Sequence, residues 1–117
     1  MLIRVNNLTT GKEVACSVVV AETLFPRLKG LLGRKVFAVG EGLLIKHCMG
    51  VHTVGMRFPI DVLFLDKNNS VIACEKQLLP NRMTRIYPQA SSVLELPVGM
   101  INASSTEIGN QLDLRAC

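Results

Sequence analysis

The sequence predicts an α+β domain: a compact, mostly antiparallel β-sheet or small β-barrel of six to seven short strands, with one main α-helix at about residues 23–33. Three observations predict it. Short strand-like apolar runs recur along the chain, several of them set off by Gly, Pro, Asn or Asp. Only one stretch carries an apolar stripe at helical spacing. The chain has 117 residues, 49% of them hydrophobic, which is ample for one core and short for two ordinary domains. Residues 1–117 are therefore read as a single domain.

Ile3 and Val5 alternate with polar partners, and Asn6-Asn7 and Thr10-Gly11 then punctuate the chain. Val14, Cys16, Val18 and Val20 alternate in turn, so residues 2–8 and 13–20 read as two strands joined by a turn. Leu24, Phe25, Leu28, Leu31 and Leu32 then form one apolar stripe. Thr23 can cap that helix, Pro26 falls in its first turn where a missing N–H costs nothing, and Gly33 can close it. Leu43, Leu44 and Ile45 read as a short buried strand after Gly42, and residues 47–57 as a loop with short extended pieces. Val62 to Leu65 is apolar on both faces, as a central strand requires. The turn Asp66 to Ser70 returns the chain through Val71 to Lys76, the clearest hairpin in the sequence. A polar loop from Pro80 to Gln89 precedes a strand at Ser92 to Leu96. Val98 to Glu107 has room for one helical turn, and Leu112 and Leu114 mark a last strand.

Composition excludes several function classes. No stretch approaches the roughly 20 apolar residues that span a bilayer, so no membrane partner is expected. The best early apolar run, Val18 to Ala21, follows a strand pattern with no charged leader, so a cytoplasmic location is expected. The net charge of +4 is mild, the basic residues are scattered, and aromatics make up 4% of the chain with no Trp, so no nucleic-acid partner is expected. The four cysteines form no CxxC pair. Cys16 and Cys74 fall in strand patterns and read as small core residues. Terminal Cys117 reads as exposed.

Polar chemistry concentrates between Cys48 and Asp61. These residues supply a thiol, an imidazole (His52), a hydroxyl (Thr53), a guanidinium (Arg57) and a carboxylate, and both histidines of the chain, His47 and His52, lie at this end. A carboxylate from Asp61 could orient His52, and Cys48 could complete a nucleophile, base and orienter set. Equally, Asp61, at the start of a strand between Ile60 and Val62, could simply cap backbone N–H groups. His47, Cys48, His52 and Asp61 could donate metal ligands, but consecutive residues in an extended chain point apart and the usual ligand spacing is absent, so no metal and no cofactor are expected. Glu95 sits on the strand face opposite Leu94 and Leu96, where a buried carboxylate would need a partner such as Arg27, Arg34 or Arg57. Met49, Met56 and Met100 read first as packing residues.

The run His52-Thr53-Val54-Gly55-Met56-Arg57-Phe58-Pro59-Ile60-Asp61-Val62-Leu63-Phe64-Leu65-Asp66 resembles the central signature of domain-of-unknown-function family 192, also called uncharacterised protein family 0127, in its His-Thr-x-x-Met-Arg branch. Arg27 to Arg34 is similar to that family's arginine–glycine–leucine helix, Glu41-Gly42-Leu43-Leu44 to its glycine strand, Val93 to Gly99 to its late strand, and Ile108-Gly109 to its closing turn. The resemblance covers about residues 21–112. It departs from the family at Asn110, where Asp is frequent, at Leu32 and Leu43, where Met is frequent, and at Gly55, where an aromatic often stands. It implies a compact strand-rich fold with a helix, and no defined activity.

The leading expectation is a ligand-binding or accessory module for a small molecule or a protein. Its site lies around the Cys48–Asp61 loop, with Cys48, His52, Thr53, Met56, Arg57, Asp61 and Glu95 as candidate binding residues and no residue assigned to catalysis. A small hydrolase-like enzyme using Cys48, His52 and Asp61 is one alternative; a purely structural or protein-interaction domain is the other.

Overall fold

The computed structural model describes residues 1–22 and 37–117; the helix expected at 23–33 lies outside the described residues. Seven strands form one sheet: β1 (Leu2–Asn7), β2 (Lys12–Ala21), β3 (Glu41–Lys46), β4 (Ile60–Leu65), β5 (Val71–Leu78), β6 (Ser92–Pro97) and β7 (Leu112–Ala116), in the order β5-β4-β6-β3-β2-β1-β7. One short helix, α1 (Met100–Ala103), follows β6. All neighbours are antiparallel except β2 and β3. Parallel neighbours cannot be joined by a tight turn, and β2 and β3 are well separated in sequence.

The sheet curls until its two outer strands touch at one corner. Ser70 and Gln111 form an isolated bridge there. Val71 N–H donates to Asn110 O at 2.9 Å, and Leu112 N–H donates to Asn69 O at 3.0 Å. The result is a half-barrel with two apolar layers. Its interior gathers Ile3 and Val5 of β1, Val18 of β2, Leu44 of β3, Leu63 and Leu65 of β4, Val71 of β5, Leu94 and Leu96 of β6, Ile101 of α1 and Leu112 of β7. The outer face of β3, β6, β4 and β5 presents Leu43, Ile45, Ile60, Val62, Phe64, Ala73 and Val93, and Phe37, Cys48, Val51, Met56 and Ala90 cover them. Every residue of β4 and β6 is buried, which is why those strands carry apolar side chains on both faces.

The expected hairpin is β4–β5, its turn fixed by Asp66, whose Oδ1 accepts from Asn68 N–H at 2.9 Å and Ser70 N–H at 3.0 Å. The expected helical turn is α1. Cys74 is half-buried against the interior layer, and burial pushes its thiol up.

Cys16 corrects the reading of β2: it is exposed, although strict alternation would bury it with Val14 and Val18. The cause is a β-bulge. The amides of both Cys16 and Ser17 donate to Gly40 O, each at 2.9 Å, and the pairing with β1 slips between Ile3↔Val18 and Val5↔Ala15. Val14 and Ala15 are consequently both buried, and Cys16 turns outward. A variant keeping Cys16 as its sole cysteine should therefore react with a thiol reagent at the rate of a free thiol. One keeping only Cys48 should react only as fast as the fold opens; stopped-flow labelling distinguishes the two.

Candidate functional site

The connections β3–β4 and β5–β6 lie side by side across the outer face of the sheet. Residues 49–55 and 81–87 are joined by a ladder that is partly backbone and partly side chain. Tyr87 N–H donates to Met49 O at 2.9 Å, Thr84 N–H to Val51 O at 2.9 Å, and Thr53 N–H to Arg82 O at 2.8 Å. Thr84 Oγ1 accepts from Val51 N–H at 3.0 Å, and Thr53 Oγ1 accepts from Arg82 N–H at 3.0 Å while donating to Leu79 O. Asn81 Oδ1 accepts from Gly55 N–H at 3.1 Å. Thr53 and Thr84 are both buried because each hydroxyl stands in for a missing rung. Gly50 lets Ile86 close over the ladder: a Cβ there would stand 2.8 Å from Ile86 Cδ1.

This packing sorts the candidate residues. Thr53 is a stitching residue. Met56 is part of the apolar layer. Cys48 is 7% exposed, packs in the apolar layer, and its S–H donates to Gly50 O at 3.0 Å. His52 is half-buried, bridges to Met83, and accepts from Val54 N–H at Nδ1 at 3.3 Å. Arg57 is exposed.

Asp61 stands apart from all of these. It pairs with Leu96, and its neighbour Val62 pairs with Glu95, so alternation sends Asp61 to the barrel interior and Glu95 to the outer face. Asp61 is 1% exposed. Its Oδ1 accepts from Gln77 N–H at 3.0 Å, and its Oδ2 accepts from Gly99 N–H at 3.1 Å and Ile101 N–H at 3.0 Å. Gly99 takes φ 97°, a left-handed turn that suits glycine and aims its own amide and the first turn of α1 at the carboxylate. The orientation of His52 by Asp61 that the spacing left open is thus not formed: the two lie on opposite faces, and both carboxylate oxygens are engaged by backbone.

Glu95 is 0% exposed, in a lateral row Leu43–Glu95–Val62–Glu75 across four strands. Of the arginines named as partners for it, Arg27 and Arg34 lie outside the described residues. Glu75 accepts from the Tyr87 hydroxyl at 2.8 Å. The Tyr87 ring packs on Phe64 with centroids 4.3 Å apart, and the Arg85 guanidinium lies 5.9 Å over it. Burial, then the hydrogen bond to Glu75, push the Tyr87 hydroxyl above the ordinary tyrosine range. The sequence reading missed this Glu75–Tyr87–Arg85 cluster. The register of the β4–β5 hairpin, which sets Glu75 opposite Val62, was the available signal.

Two clefts open elsewhere on the surface. One, of about 620 Å³, lies along β1 and β7 beside Arg4, Asn6, Asp113 and Arg115. The other, of about 890 Å³, opens at the end of the half-barrel remote from Asp61, between Lys46, Ser92, Lys67 and Leu114. Neither is lined by any of the seven candidate residues. Among the described residues no three of His, Cys, Asp and Glu converge as metal ligands; His47 turns away from Cys48 and meets Glu22 at 3.8 Å. No helix among the described residues is long and apolar enough to cross a membrane.

A family profile, DUF192, described as "Uncharacterized ACR", matches residues 5–114. The chain belongs to the DUF192 family. Two relatives agree with that membership. UPF0127 protein PF1050 of Pyrococcus furiosus is 34% identical over 110 residues, covering 92% of this chain and 94% of that one. A UPF0127 protein of Thermococcus sibiricus is 31% identical over 113 residues, covering 92% and 71%. The DUF192 fold is also found in two crystal structures. A Sinorhizobium meliloti protein, provisionally described as a transcription regulator, superposes with a TM-score of 0.79 at 20% identity over 96% of this chain and 91% of that one. A Novosphingobium aromaticivorans protein of unknown function superposes with a TM-score of 0.80 at 18% identity over 97% and 84%. At such identities these two speak for the fold alone.

Two outcomes follow for this DUF192 chain. Asp61→Ala leaves three backbone amides, that of Ile101 buried, without their acceptor and should lower stability by about 2–3 kcal/mol in urea denaturation, with Asp61→Asn losing less. Because the folded state raises the Tyr87 pKa, the stability it contributes is fully present below the ordinary tyrosine value of about 10. It is lost as pH rises through the folded value, and Glu75→Gln should move the ultraviolet titration of Tyr87 partway back down.

Proposed function

We propose that the chain is a binding module that takes an acidic, partly apolar peptide segment of a protein partner on the paired loops 47–59 and 79–91. The observation that carries this reading is their charge. The chain has nine carboxylate side chains, yet these two stretches contain none, while they hold Arg57, Arg82, Arg85 and both histidines. All three arginines are exposed, and His52 is half-exposed among them. Apolar side chains stand in the same loops, with Met83 75% and Ile86 62% exposed. Arginine beside exposed apolar side chains suits a partner that offers carboxylates next to apolar anchors. The side-chain-stitched ladder supports the role, since a platform held rigid before binding loses little entropy on contact.

A hydrolase built on Cys48, His52 and Asp61 draws less support, because the thiol donates to a carbonyl and the carboxylate serves backbone amides on the other face. Amide shift mapping with a synthetic peptide that alternates Glu with Leu and Phe tests the proposal. Shifts should centre on His52, Val54, Arg57, Met83 and Arg85, and the double reversal Arg57→Glu, Arg85→Glu should weaken binding about tenfold or more. Shifts confined to other surfaces, or affinity indifferent to the reversal, would overturn it. The provisional description of the S. meliloti neighbour makes duplex DNA the informative control. Binding of DNA without the peptide at these same amides would replace the protein partner with nucleic acid.

A further inference from the structure

The interior of the half-barrel changes character at its open end. Side chains that share the inner face fall in lateral rows. Leu44 pairs with Leu94, which pairs with Leu63, a fully apolar row. One step further out, Lys46 pairs with Ser92, which pairs with Leu65. A core that simply closed would continue with leucines; here the last row brings an amine and a hydroxyl to the mouth. The cleft at this point holds about 890 Å³, within the size range of small-molecule pockets. Its floor is apolar, formed by Ile3, Val20, Leu44 and Leu114.

The polar groups of the wall are unequally engaged. Ser92 is 7% exposed and lines the cleft, and its hydroxyl makes no hydrogen bond among the described residues, so it is available to a ligand there. Of the two carboxylates in the wall, Asp66 holds the β4–β5 turn through Asn68 and Ser70, and Glu22 meets His47 at 3.8 Å. Lys46 and Lys67 line the cleft and form no ion pair among the described residues. The mouth therefore offers two cations and a hydroxyl above an apolar floor, and the two carboxylates in the same wall disfavour a doubly charged ligand.

The geometry points to a binding site for a small monocarboxylate with an apolar chain, its body on Ile3, Val20, Leu44 and Leu114 and its carboxylate between Lys46, Lys67 and Ser92. This site is separate from the loop platform and does not rest on it. Decanoate below its micelle concentration, with decanol as the neutral counterpart, provides the test. Decanoate should shift the amides of Leu44, Lys46, Ser92 and Leu114, and bind about tenfold or more tightly than decanol. The exposed pair Lys46→Gln, Lys67→Gln should abolish that preference while leaving decanol binding and the melting temperature unchanged. Ser92→Ala should weaken decanoate a few-fold. Equal binding of the two probes, a preference that survives the double substitution, or decanoate shifts confined to the loops around His52 and Arg85 would each overturn the assignment.

Discussion

Burying the Asp61 carboxylate takes a charge out of water, and the chain offsets that cost with backbone amides drawn from two separate elements. One comes from Gln77 near the end of β5, a residue with φ 52°. The others come from Gly99 and Ile101, where β6 hands over to α1. The Ile101 N–H is buried and would otherwise face the barrel interior without a partner. A single side chain thus ties β4 to β5 and β6 at the end where their ladders stop, and it seats Ile101 in the interior layer. The dryness of that layer depends on the closure, because an orphaned amide beside Leu96 and Ile101 would draw water inward.

The second organising constraint is the two-sidedness of β4 and β6. Both are buried throughout, so one strand position decides which of two environments a residue meets. Asp61 and Val62 are adjacent in sequence and lie in different layers; Glu95 and Leu96 repeat the division across the ladder. Polar groups therefore segregate. The inner layer keeps one carboxylate at its closed end and polar residues at its mouth. The outer layer keeps Glu75 and Glu95 beneath the loops, with Tyr87 bridging from the loop to Glu75.

Much of this order was legible in the sequence. Alternation located the strands, apolar runs marked the doubly buried ones, and the position of Asp61 between Ile60 and Val62 raised backbone capping as one reading. What was not legible has specific causes. Cys16 was misplaced because a bulge at Gly40 shifts the parity of β2, and a bulge leaves no composition signal. The pairing of residues 49–55 with 81–87 was invisible because threonine hydroxyls, not a repeating backbone pattern, complete its rungs. Sequence proximity made Cys48, His52 and Asp61 look like a set, whereas parity alone separates Asp61 from the others. Residues 46 and 92 drew no attention, since a lysine and a serine at strand ends look like ordinary surface until the curl of the sheet turns them toward a shared mouth.

The pairing of β1 with β7 has a kinetic side. Ile3 meets Ala116 and Asn7 meets Leu112, contacts between residues more than a hundred positions apart. The β1–β2 hairpin emerges first during synthesis, yet its outer edge has no strand to accept until nearly the whole domain has left the ribosome. For that interval Leu2 to Asn7 is an open edge, the arrangement most prone to pairing with a neighbouring chain. Contacts of such long sequence separation also place the domain among slower folders. Arg4, charged and exposed within β1, is the kind of residue that discourages mispairing while the edge waits for β7.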